Sequence, residues 1–138
     1  SIPFIKSEGG HIRMIELARE KIKAMDPDVD LFLSPNDQMG VQPLYAEMVS
    51  ELASKPLVGV GRKEVTQSWG ATASIYPSLS GIGKRAGRMV ARLAQGSPVT
   101  QVVPEWPETG VALDLERTRF FRLNMSEGVS PAERAVAD

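Results

Sequence analysis

The sequence predicts an α/β lobe, a mostly parallel sheet layered between helices. Three observations carry that expectation. Short apolar runs alternate along the chain with segments of helical period. Turn residues bound nearly every run. The order strand, helix, strand, helix, strand then implies right-handed crossovers, with helices on both faces of the sheet.

The elements follow in order. Ile2 to Ile5 is a short apolar opening that suits a strand or the end of a crossover. Gly9-Gly10 precedes a helix from about His11 to Met25, with Ile12, Ile15, Ala18, Ile22 and Met25 as its inward stripe. Asp26-Pro27-Asp28 breaks that helix, and Val29 to Leu33 reads as a strand buried on both faces. After the turn Ser34-Pro35-Asn36-Asp37, a second helix runs from Val41 to Ala53 with Leu44, Tyr45, Met48, Val49 and Leu52 inward. Pro43 lies in its first turn, where the missing N–H costs nothing. Leu57 to Val60 is a further buried strand, and Lys63 to Trp69 a short turn or helical piece.

Residues 70–98 are the clearest stretch. Ala71, Ala73 and Ile75 alternate with Thr72, Ser74 and Tyr76, giving one apolar and one polar face. Pro77 ends the strand, and Ser78 is a suitable N-cap. Leu79, Ile82, Ala86, Met89, Val90 and Leu93 then recur at helical spacing, with Lys84, Arg85, Arg88 and Arg92 mostly opposite. Gly96 and Pro98 close the helix. Beyond it, Val102 to Glu105 and Gly110 to Leu113 read as two more strands, and Asp114 caps a last helix to about Phe121. The expected division is a lobe over 1–123 and a polar tail over 124–138, with a helical turn at Pro131 to Ala137.

Composition narrows the function. Sixteen basic against seventeen acidic residues give a net charge of −1, which removes the electrostatic argument for a nucleic-acid or anionic-membrane partner. The 42% hydrophobic and 24% charged fractions fit a globular domain with a core. Cysteine is absent, so thiol catalysis and cysteine-ligated metal are excluded. His11 is the single histidine, so neither a metal centre nor a Ser-His pair is expected, and no cofactor is. The chain starts at Ser1 without a methionine, as a processed chain or a piece of a longer one would.

In a parallel sheet, ligands sit beyond the carboxyl ends of the strands. Ser34-Pro35-Asn36-Asp37-Gln38, Gly61-Arg62-Lys63 and Ser74-Ile75-Tyr76 all fall there. Ser34, Asn36, Asp37, Arg62, Ser74 and Tyr76 are therefore the candidate ligand-binding residues. Asp37 suits an amine or hydroxyl, and Arg62 a carboxylate. The start of a helix after Gly61 favours an anionic group. The plainer reading of 34–37 is a turn with an N-cap. Gly59-x-Gly61 begins like a dinucleotide fingerprint, but position 64 is glutamate, so the pair reads as close packing at a strand end. Gly83 and Gly87 suit close helix approach. Trp69 is either a stacking ring or the cap of a core edge.

Asp30-Leu-Phe-Leu-Ser-Pro-Asn-Asp37, Lys55-Pro-Leu-Val-Gly-Val60, Gly70-Ala-x-Ala-Ser-Ile-Tyr76, Gly81-x-Gly-x-x-Ala-Gly87 and Ala94-Gln-Gly-Ser-Pro98 resemble the C-terminal part of substrate-binding proteins of uncharacterised ABC transporters. Val111-Ala-Leu-Asp-Leu-Glu-Arg-Thr118 is similar to that family's closing segment, with Asp114 where the family has asparagine. The resemblance implies a type I periplasmic-binding-protein fold, in which two α/β lobes close on a small solute. It places Asn36, Asp37 and Gly70–Tyr76 at the cleft. It further implies an N-terminal lobe not contained in this chain, a membrane permease as partner, and a periplasmic or otherwise extracytoplasmic location. A non-catalytic solute-binding module is the first expectation. A ligand-sensing domain of a regulatory protein is the second, and a small α/β enzyme acting on an anionic substrate the third.

Overall fold

Residues 2–124 are described by the computed structural model. The architecture is α/β, a four-stranded sheet flanked by helices. Its elements are α1 (Gly10–Met25), β1 (Phe32–Leu33), α2 (Pro43–Leu52), β2 (Leu57–Gly59), α3 (Lys63–Thr66), β3 (Ala73–Pro77), α4 (Leu79–Ala94), β4 (Thr109–Leu113) and α5 (Leu115–Phe120). The strands lie in the order β1-β2-β3-β4.

The first three strands are parallel, in the register Phe32↔Leu57, Leu33↔Val58, Val58↔Ala73 and Gly59↔Ser74. β4 runs the other way. The Asp114 amide donates to the Thr72 carbonyl at 2.9 Å and the Ser78 amide to the Glu108 carbonyl at 2.8 Å. As the β3 position advances from 72 to 78, its partner falls from 114 to 108, which is an antiparallel ladder.

Where each helix stops has a local cause. The Ser78 hydroxyl accepts from the Gly81 amide at 3.1 Å and starts α4. Gly96, at φ +90°, ends it, with its amide on the Leu93 carbonyl and that of Ser97 on Arg92. Asp114 Oδ1 accepts from the Arg117 amide at 2.9 Å and opens α5. α2 begins at Pro43 rather than Val41, because residues 37–42 are held in turns of their own, 39 and 40 by the Asp37 carboxylate and 41 and 42 by the Asp37 and Met39 carbonyls. α1 and α2 pack on each other, and Ala18 and Ala46 lie fully buried among Met14, Ile15, Ile22, Met48 and Val49. The small side chains let the two helices approach closely.

Several expected details are corrected. Ile2 to Ile5 forms no strand, and instead its end lies over Gly10, where an added Cβ would meet Ile5. Only Phe32 and Leu33 of the expected 29–33 strand enter the ladder, after a 3₁₀ turn at Asp26–Asp28. Val102 to Glu105 is not a strand, as a 3₁₀ turn at Val99–Gln101 precedes it and Pro104 cannot donate to a ladder. Ile12, Met25 and Leu44 are exposed, while Met14 and Ala46 take inward places. Gly83 and Gly87 have open space beside them, so neither marks a close approach among the described residues. Pro131 to Ala137 lies outside the described residues.

The sheet's two faces differ from the sequence pattern. Thr72 and Ser74, the polar side of β3, are 1% and 0% exposed, whereas Ile75 on the apolar side is 56% exposed. The register puts Phe32, Leu57 and Thr72 in one cross-strand row and Ser34, Gly59 and Ser74 in the next, on the same face. All six are buried.

The chain forms two compact units, one of residues up to 75 with those from 111 onward, the other of residues 76–110. In the second unit, Glu105 pairs with Arg85 at 3.0 Å and Arg88 at 3.6 Å. Among the described residues the apolar stripe of α4 lies exposed: Leu79 is 82% exposed and Val90 63%, with Ile82 and Leu93 exposed too.

Candidate functional site

β2 ends at Gly59, and the chain leaves the sheet edge through Val60, Gly61 and Arg62 into α3. The three-residue spacing from Gly61 brings the Glu64 side chain back beneath that exit, where its Oε2 accepts the Gly61 amide hydrogen. Room for the carboxylate exists because Gly59 has no side chain: a Cβ there would stand 2.5 Å from Glu64 Oε2 and 2.9 Å from Oε1. Gly59-x-Gly61 is thus close packing, and what it packs against is this acid.

Glu64 is 2% exposed and its Oε1 has no hydrogen-bond partner. Leaving a buried acceptor unpaired costs roughly 1–3 kcal/mol, and more when it is charged. Ser34 and Ser74 flank Gly59 in the register, on the face against which the Glu64 carboxylate lies. Their hydroxyls are also buried and unpartnered. A row of small polar groups therefore underlies the acid.

Above it opens a cavity of about 160 Å³, lined by Glu64 with Asn36, Val41, Val60, Arg62 and Trp69. Such a volume takes about one six-membered ring. It falls short of the ~300 Å³ at which small-molecule sites usually begin. Its lining is mostly apolar, with Trp69 and two valines beside Asn36, Arg62 and Glu64.

Of the six residues singled out from sequence, Asn36 and Arg62 meet at this cavity. Ser34 and Ser74 lie buried in the sheet row beneath the Glu64 carboxylate and do not line it. Asp37 is exposed, and its Oδ1 accepts from the Met39 amide at 2.9 Å and the Gly40 amide at 2.7 Å, closing the 37–40 turn. Tyr76 belongs to the second unit, where its ring fills the space left by Gly110. The Gly61 amide, expected to attract an external anion, is engaged by the chain's own carboxylate. Among the described residues no cluster of three His, Asp or Glu side chains is placed to hold a metal ion.

Sequence reasoning missed Glu64. Glu64 stood out only as a break in a glycine pattern, yet a glutamate three residues after a strand-end glycine is the spacing of a carboxylate reaching back to a helix start. Tyr45 was read as core, and it is buried. Burial pushes its phenol pKa up from 10.0, and the nearby charges of Asp37 and Glu64 push it the same way.

The sign of the pH effect follows. The folded chain holds the phenol proton more tightly than the unfolded chain, so stability is complete below pH 10.0 and falls as pH rises through the raised folded value. Urea midpoints measured on both sides of pH 10.0 should show that fall, and Tyr45→Phe should flatten it. An equally steep fall in Tyr45→Phe would exclude the phenol as its source.

No family model matches the chain, and no curated protein matches it. Two solved structures are similar. The ABC domain from Streptococcus pneumonia, in complex with L-Trp, aligns with a TM-score of 0.58 at 16% identity, over 88% of this chain and 42% of that one. A conserved domain protein from Vibrio cholerae O1 biovar eltor str. N16961 aligns with a TM-score of 0.57 at 16% identity, over 90% of this chain and 42% of that one. The likeness is one of fold. This chain shares the α/β architecture of one part of each neighbour, and it spans less than half the length of either.

Proposed function

We propose that the chain is one lobe of a two-lobed, non-catalytic solute-binding component of an ABC-type uptake system, capturing a small polar organic solute by hinge closure. The observation that carries this reading is the cavity at the exit of β2, where Trp69 stands beside Asn36 and Arg62 on a wall too small to enclose a solute alone. A ligand that touches two lobes favours the closed arrangement by its contacts to both.

Two further facts support a second lobe. Both structural neighbours extend well beyond the part that this chain matches. The uncovered apolar stripe of α4 is a surface that a soluble domain ordinarily keeps from water. The neighbour's L-Trp makes an amino-acid-like solute the first class to test. The reading places the protein outside the cytoplasm, beside a membrane permease.

The test is a thermal-shift screen of the complete gene product against the amino acids, L-Trp among them, and other small polar solutes. A specific ligand at a hundred times its Kd stabilises the folded state by about 2.7 kcal/mol and raises the melting temperature accordingly. A screen in which no solute shifts the melt overturns the reading.

A further inference from the structure

We propose that the free edge of β1 and the apolar face beside it take a strand followed by a helix, supplied by the same polypeptide from the stretch ahead of Ser1. The inference concerns how this lobe is completed, and it stands whether or not a solute is captured.

Among the described residues the edge is open. The Phe32 and Ser34 amides donate to the Pro56 and Val58 carbonyls, both at 2.9 Å. The amide and carbonyl of Leu33 between them therefore point away from β2, to the side where β1 is the last strand. Such an edge is a template for a further strand.

The face beside it is open too. Leu31 and Leu33 alternate with the buried Phe32 and Ser34, and are 49% and 62% exposed. The register sets Leu33 beside Val58 and Ala73, and Ile75 on the same face is 56% exposed. Parallel sheets occur almost only with both faces covered. Here α1 and α2 pack together over the opposite face, where Phe32 and Leu57 are buried.

Chain direction says which segment fills the two gaps. The crossover from β1 to β2 is α2, on the Phe32 face. Since α1 lies on that face and leads into β1, the right-handed rule brings it from beyond the free edge. Helices pack about 8–10 Å apart and strands about 4.8 Å, so α1 beside α2 spans a strand position that none of the described residues fills. Residues 2–5, the apolar run entering α1, form no strand, and one in that position would give them a partner. A chain leaving that strand outward toward Ile2 must cross on the other face, by the same rule. One strand and helix thus close the edge, cover Leu31 and Leu33, and run directly into Ser1. The resulting order, with the first strand inside the second, is that of one common doubly wound sheet. Both structural neighbours carry more than half their length outside the matched part, which leaves room for such a unit.

The experiment is amide hydrogen exchange on the ¹⁵N-labelled complete gene product, read at Phe32 and Leu33. The Leu33 amide is expected to exchange within about tenfold of the Phe32 amide, as paired strand amides do. A faster Leu33 amide overturns the proposal. Protection that disappears on dilution overturns it too, because the edge then belongs to a second copy. Leu33→Glu puts a charge on the face and should lower the urea midpoint of the complete product, whereas an unchanged midpoint overturns the covering helix. Where that variant does not fold, exchange on the unmodified protein decides alone. The coding sequence gives the last check. The roughly 35 residues ahead of Ser1 should hold an apolar run and then a segment of helical period, and their absence overturns the assignment. None of these outcomes depends on the solute screen.

Discussion

Gly70→Ala is expected to destabilise the protein by on the order of 3–4 kcal/mol, combining backbone strain with overpacking. Gly70 sits at φ +98°, a conformation that side chains with a Cβ rarely adopt. Its Cβ would also fall inside contact distance of Cβ and Oγ of Ser50 on α2. The two terms separate in a second variant: Ser50→Gly in the Gly70→Ala background removes the clash but leaves the strain. Urea unfolding should therefore recover part of the loss. Full recovery would show that the backbone angle costs nothing, and a loss below about 1 kcal/mol would exclude both terms.

Gly40→Ala is the second large effect, on the order of 2–3 kcal/mol. Here the obstacle is main chain. A Cβ on Gly40 would overlap the Pro35 carbonyl oxygen and stand 2.6 Å from Pro35 Cγ and 2.7 Å from Cδ. Neither a carbonyl nor a proline ring yields by rotating about a side-chain bond, so the 35–40 turn must open. That turn holds Asn36 on the cavity wall and keeps Asp37 on the Met39 and Gly40 amides. Loss of stability should accordingly come with loss of whatever solute the screen identifies. Gly83→Ala is the control, since open space surrounds Gly83 inside α4. It should stabilise the helix by about 0.5–1 kcal/mol. A Gly40→Ala protein that stays as stable as this control would remove the steric argument.

What the sequence disclosed depended on how local the cause was. Ser78, Gly96 and Asp114 act within four residues of themselves, and each caps the helix expected of it. The crossover order gave the parallel strands, because chain length between strands leaves few alternatives. The candidate site was legible in part. Asn36 and Arg62 follow from the rule that ligands lie past the carboxyl ends of strands, and both reach the cavity. Ser74 is a candidate by the same rule, yet its face of β3 is the buried one and it does not line the cavity. Alternation gives two faces without saying which is covered, and that depends on where α1 and α2 pack. Glu64 was missed because a single acid after a glycine pair has many ordinary explanations. Its burial becomes visible only when Gly59 and the Ser34–Ser74 row surround it.

That row bears on how the protein has been shaped by selection. Ser34 and Ser74 place two unpartnered hydroxyls in that row and Thr72 a third in the row next to it, beside an acid with an unpartnered oxygen. Judged by folding alone, alanine or valine would serve better at each place, because an apolar group there leaves no polar atom unsatisfied. Local frustration of this kind persists where something besides stability is being kept. Directed evolution toward thermal tolerance, run without a demand for ligand capture, should therefore erode this row before any other part of the core.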